Sequence, residues 1–174
     1  AIEHHAILHT GDWLRKQGFE VELLPVDAYG KVQPDILHNA LRPDPILVSV
    51  MLANNEIGTI QPIKELSAIA HTNGALFHTD AVQAVGHIPV DVEDLGVDLL
   101  SLSSHKFHGP RGVGALYVRH KTPLLPLIHG GGQERGRRSG TENVAGAVGM
   151  AAALQERIAA LDTNMPRLTA LRDK

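Results

Sequence analysis

The sequence contains no cysteine. That excludes disulfides, thiolate metal sites and a cysteine nucleophile within these residues. It also has no apolar run approaching the length needed to cross a bilayer. The chain opens Ala1-Ile2-Glu3-His4-His5, with neither a basic leader nor a long apolar stretch behind it. No internal repeat and no low-complexity linker interrupts it. An excess of basic residues is missing too: the net charge is −3, which is no footprint for nucleic acid. The single basic cluster, Arg135, Arg137 and Arg138, is short and set among glycines, which suits local anion chemistry. These absences lead us to expect a cytoplasmic chain with no nucleic-acid or membrane partner.

What is present is enough for one folded domain. The 174 residues are 43% hydrophobic, which supports a real core and argues against intrinsic disorder. Helix and strand patterns alternate. His4 to Lys16 reads as a helix with Ile7, Leu8, Trp13 and Leu14 as its apolar positions and Gly18 as its stop. Phe19 to Leu24 alternates apolar and polar, as a half-buried strand does. Pro34 to Leu41 and Pro62 to Thr72 read as helices, and Asn143 to Leu161 as a long alanine-rich one. Pro45 to Met51, Gly74 to His78, Val97 to Leu102 and Gly112 to Val118 read as strands, the last an antiparallel return after the turn Gly109-Pro110-Arg111. This alternation predicts an α/β domain with a mostly parallel sheet flanked by helices. The start inside a helical pattern and the end on another, Leu168 to Lys174, lead to the expectation of a fragment of a longer protein.

Ligands of such sheets bind beyond the carboxyl ends of the strands. Three of these ends carry unusual polar sets: Asn54, Asn55 and Glu56; His78, Asp80 and Gln83; Ser103, His105 and Lys106. Lys106 sits where a buried-looking strand enters a turn rich in glycine and proline. Partial desolvation there favours the neutral amine, which can attack an aldehyde and hold it as a Schiff base. A surface lysine in a polar turn is the competing use. An aldehyde cofactor that serves as an electron sink also needs a carboxylate beside its ring nitrogen, and Asp80 suits that task. Gln83 is placed to reach a phenolic oxygen. Ser103, His105 and Thr141, the last before a helix N-terminus, suit a phosphate. Pyridoxal 5′-phosphate has all these requirements. Taken singly, Asp80 equally suits a helix N-cap and Gln83 a solvated position. His78, Asp80, His105 and His108 are the alternative material for a metal site, but no compact ligand spacing is present, and no metal is expected.

Four segments together resemble a known family. They are Ala53-Asn54-Asn55-Glu56-Ile57-Gly58, His78-Thr79-Asp80-Ala81-Val82-Gln83, Ser103-Ser104-His105-Lys106 with Gly109-Pro110-Arg111-Gly112, and Gly130 through Asn143 with its arginines and Ser139-Gly140-Thr141. In order and spacing they resemble the cysteine desulfurases of the nitrogen-fixation and housekeeping iron–sulfur type. These are class V aminotransferase relatives with the aspartate aminotransferase fold (fold type I).

The resemblance implies a role for each residue. Lys106 holds pyridoxal phosphate and shuttles the proton; Asp80 pairs with the pyridinium nitrogen; Gln83 contacts the 3-hydroxyl. His4 stacks on the ring and moves protons. Asn55 lies near the cofactor oxygen and the substrate carboxylate. Ser103 and His105 hold the phosphate, and Thr141 reaches the phosphate of a neighbouring subunit. It further implies L-cysteine as substrate, a homodimer, and an iron–sulfur scaffold or other sulfur-acceptor protein as partner. Selenocysteine lyase, another class V aminotransferase, and a non-catalytic truncated module are the alternatives. The family's upstream phosphate-binding glycine/threonine segment, its nucleophilic cysteine and its carboxylate-binding arginine have no counterpart here. Residues 1–160 are then expected to form part of the cofactor-binding large domain, and 161–174 the start of a connection to a smaller one.

Overall fold

The structure, a computed structural model, describes residues 2–174. The chain enters through helix α1, His5–Lys16. His4 caps it: its Nδ1 accepts the Ala6 N–H at 3.1 Å. Gly18, at φ +91°, lets the chain turn away after the last turn.

The strand expected over Phe19–Leu24 does not form. The segment is irregular, and Phe19 and Leu23 are about half exposed. Arg15 supplies the reason. Its Nε and one terminal nitrogen both donate to the Val21 carbonyl, at 3.1 and 2.9 Å. That commits one acceptor site of the carbonyl to a side chain, and among the described residues no strand pairs with the segment.

Helix α2 spans Pro34–Ala40 and α3 spans Ile63–Thr72. Between and after them run the strands β1 (Leu47–Ser49), β2 (Leu76–Asp80), β3 (Leu99–Ser103) and β4 (Gly114–Val118). They form one sheet in sequential order, the first three parallel and β4 antiparallel to β3. The register pairs Ser49 with His78 and Asp80 with Ser101. Side chains alternate across a sheet. Val48, Phe77 and Leu100 therefore share one face, where they form the core with Leu37 of α2 and Ile63, Leu66 and Ala70 of α3. Each large side chain buried this way contributes about 1.5–3 kcal/mol. The other face carries Ser49, His78, Asp80 and Ser101.

A short helix α4, Val92–Leu95, was not foreseen; Asp91 caps it and Gly96 ends it in the left-handed region. Helix α5 covers Val144–Ala159, and the expected single long helix stops there. The chain turns at Ala160 into α6, Leu161–Arg172, bent 71° from α5. Among the described residues no single helix is long and apolar enough to cross a membrane.

Candidate cofactor site

Two of the candidate groups lie at the same end of the sheet. Asp80 is the last residue of β2, and Lys106 lies in a 3-10 turn, Ser104–Phe107, that follows β3 directly. β2 and β3 are neighbours and parallel, so both residues stand at the carboxyl ends of adjacent strands. Asp80 is buried, and its Oδ1 accepts the Val82 N–H at 2.9 Å. It thus caps the turn Ala81–Val85, one of its two expected uses. Among the described residues its Oδ2 has no hydrogen-bond partner, which leaves it open to a cationic N–H. Lys106 is half-buried and enters none of the ion pairs among the described residues.

The lysine turn is held from both sides. Phe107, next to Lys106, is fully buried in the core. The Ser104 N–H donates to the Val113 carbonyl, and the Gly109 N–H to the Ser104 carbonyl. Helix α5 lies over this loop through small residues. A Cβ on Gly146 would sit 2.6 Å from Val113 Cγ2, and one on Gly149 would sit 3.2 Å from Pro110 Cγ. Ser103 ends β3 beside this turn, and its Oγ lies 2.9 Å from His105 Nδ1. The two presumptive phosphate ligands are therefore coupled to each other. Gln83, half-buried, lies in the turn that Asp80 caps.

The N-terminal segment contributes from a third direction. His4 spends Nδ1 as an acceptor for the helix cap, so in the neutral ring the proton sits on Nε2. His4, Asn54, Asn55 and Ile57 line one cleft. A more open hollow lined by Arg15, Phe19, Glu20 and Arg42 holds none of the candidates. Asn54 joins the two walls of the cleft. Its Nδ2 donates to the Ile2 carbonyl at 2.7 Å, and its Oδ1 accepts from the Glu56 and Ile57 amides. Thr141 stands apart: it is exposed in the loop before α5 and makes no hydrogen bond to the other candidates among the described residues. Among the same residues no group of three or more His, Asp or Glu side chains is arranged to hold a metal ion.

Three site-forming residues escaped the sequence reading of roles. Asn54 was noted only as polar. His78 was weighed as a metal ligand, whereas here it bridges strands. Its Nδ1 lies 2.8 Å from Ser49 Oγ and its Nε2 2.9 Å from Ser101 Oγ, on the face that carries Asp80. Burial lowers its pKa against the opposing pull of Asp80, which favours the neutral ring. The third is Glu3. Its Oε1 accepts the Met51 N–H at 3.0 Å, and its Oε2 is buried without a partner. Polar residues at i and i+2 of one strand, as at His78 and Asp80, were the available signal for the second. Nothing in the sequence flags the burial of Glu3.

The donor set fits pyridoxal phosphate: an amine free of ion pairs, a buried carboxylate with one open oxygen, and a hydroxyl–imidazole pair beside the amine. Comparison with known proteins gives the class. Residues 1–165 match the class-V aminotransferase family, and the chain belongs to it. Membership implies pyridoxal phosphate as cofactor. Among individual relatives, the chain is 59% identical to a cysteine desulfurase IscS of Methanosarcina thermophila, over all of this chain and 43% of that protein. It is 60% identical to a cysteine desulfurase IscS of Dictyoglomus turgidum, over 99% of this chain and 44% of that one. A solved NifS-like protein superposes with a TM-score of 0.96 at 48% identity, covering 99% of this chain and 48% of its own. DndA from Streptomyces lividans gives 0.85 at 39% identity, covering 92% and 47%. The expected α/β fold with its mostly parallel sheet is thereby established as that of the NifS-like enzymes. The chain spans less than half the length of the curated relatives it matches.

Proposed function

We propose that this chain forms the cofactor-holding part of a cysteine desulfurase, which takes sulfur from L-cysteine and leaves L-alanine. The observation that supports this most is the placement of Lys106 and Asp80 at the carboxyl ends of adjacent parallel strands, in a chain about 60% identical to cysteine desulfurases. Bound pyridoxal phosphate supplies an electron sink for the α-carbon of the substrate. Asp80 Oδ2 would pair with its ring nitrogen and so favour the protonated form of that nitrogen. Lys106 Nζ would hold the aldehyde, and as a free amine it would be the group at hand to accept the substrate α-proton. Proton transfers of this kind contribute about 10²–10⁴-fold. His4 would lie against the ring, with a transferable proton on Nε2. Gln83 and Asn55 orient the 3-hydroxyl side, with Asn55 near the substrate carboxylate, and Ser103 and His105 hold the phosphate.

These 174 residues hold no thiol, so the thiolate that attacks the substrate sulfur and carries it as a persulfide comes from elsewhere. From there the sulfur passes to an iron–sulfur scaffold or another acceptor protein. In this reading residues 1–160 are the cofactor-holding unit, and 161–174, beyond the turn at Ala160, begin the connection to a smaller domain. Thr141 reaches the phosphate site of a second subunit in a homodimer, and the reaction runs in the cytoplasm. The test is product analysis. The holoenzyme converts L-cysteine to alanine and sulfane sulfur in equal amounts, whereas the isolated 174 residues release no sulfide. Pyruvate in place of alanine, or sulfide from the isolated residues, contradicts the reading.

A further inference from the structure

One titratable group beside the site has no part in the steps above. Glu3 lies between Ile2, whose carbonyl is held by Asn54 Nδ2, and His4, the cap of α1. Its own carboxyl grips the loop after β1 through the Met51 amide, and its second oxygen is buried with no partner. An ionised carboxylate with an unmet oxygen away from water is expensive, and a protonated acid far less so. The charged surroundings do not offset that cost. Asp80 faces Glu3 from the end of β2, Glu56 lines the same cleft as Glu3, and His4 and His5 follow on its own segment. No lysine or arginine pairs with Glu3 among the described residues. Burial raises its pKa most, the Met51 amide lowers it by less, Asp80 raises it further and the N-terminal ammonium lowers it least, with the result at about 7.

We propose that Glu3 is a positioning residue that needs no charge to work: its carboxyl locks Ile2–His4 onto the loop after β1 and so fixes the His4 ring relative to Asp80. The proposal rests on the reading of His4 and Asp80 as cofactor-facing groups. The shape of the side chain and its acceptor oxygen carry the function. The imidazole has little freedom of its own, because Nδ1 is committed to Ala6. Its place over the ring is therefore set by whatever holds Ile2–His4, and the Glu3–Met51 and Asn54–Ile2 bonds do that.

Carbon-13 NMR of cofactor-free protein labelled at glutamate carboxyls tests the ionisation directly, with the Glu3 resonance assigned by its loss in Glu3→Gln. The expected midpoint is near neutrality, and a midpoint in the ordinary carboxylate range overturns the proposal. In the holoenzyme, Glu3→Gln keeps the visible circular-dichroism band and a kcat within about threefold of the parent, while Glu3→Ala loses about tenfold or more in kcat with KM changed far less, and at least about half of the band. A Glu3→Gln variant as impaired as Glu3→Ala, or a Glu3→Ala variant with band and kcat intact, overturns it. The NMR arm needs neither substrate nor cofactor. A failure of the desulfurase reading is therefore distinguishable from a failure of this one.

Discussion

At the residue scale, the site depends on a few groups whose charge state is set by burial. Glu3 and His78 deviate in ways that oppose each other in pH. For Glu3 the unfolded chain ionises near 4.5 while the folded chain holds its proton to about 7. Between those values the native state binds more protons, so stability falls as pH rises through the window. The loss is about 1–3 kcal/mol for a side chain that is not wholly enclosed. For His78 the folded value lies below the ordinary 6.5. The unfolded state then binds more protons, and stability falls as pH drops below 6.5. The two slopes overlap, so the Glu3 part is isolated by difference. Urea denaturation of parent and Glu3→Gln should show the parent losing stability relative to the variant from pH 5 to pH 7, and a constant difference would contradict the assignment. Asp80 illustrates why roles were only partly legible at this scale. Its two sequence uses, N-cap and cofactor partner, are compatible, because one oxygen caps the turn and the other is left open. Glu3 was not legible because the feature that matters, an oxygen with no partner, exists only after the segment folds over β1.

At the element scale, most of the fold was readable, since apolar runs bounded by glycine and proline marked all four strands and α1 to α3. The failures have physical causes. Phe19–Leu24 has the period of a strand, but Arg15 takes the Val21 carbonyl, and periodicity carries no information on whether a ladder partner exists. The helix read as continuous to Leu161 turns at Ala160, with no glycine or proline at the turn to mark it. Glycines at 146 and 149, which look like poor helix formers, make sense as the surface that lets α5 approach the lysine loop. Gly109 is packed most tightly of all: a Cβ there would lie 2.1 Å from Ser104 Oγ and 3.1 Å from the Ser104 carbonyl oxygen. Gly109→Ala should therefore cost about 1–3 kcal/mol by overpacking and displace the turn that carries Lys106. Thermal melting together with the visible absorbance of bound cofactor checks this. An unchanged melting temperature with full cofactor retention would refute the claim that α5 and this loop hold the lysine in place.

At the scale of the whole molecule, the surface points to further contacts. Leu125 and Leu127 are 90% and 91% exposed, with Ile128 beside them, in the loop between β4 and α5 that also carries the arginines and Thr141. Exposed large apolar residues clustered in this way mark an interaction surface. In the homodimer reading this loop meets the second subunit. Sedimentation of the holoenzyme should give a dimer, and replacing Leu125 and Leu127 together by serine should shift it to monomer with loss of phosphate-side cofactor affinity. A dimer unaffected by that pair would place the interface elsewhere. The amine at the mouth of β3 remains the centre of the account. The most direct test is borohydride reduction of the protein with pyridoxal phosphate, followed by peptide mass mapping. The reduced adduct should fall on Lys106 and vanish in Lys106→Ala; an adduct on another lysine, or none, would contradict the account.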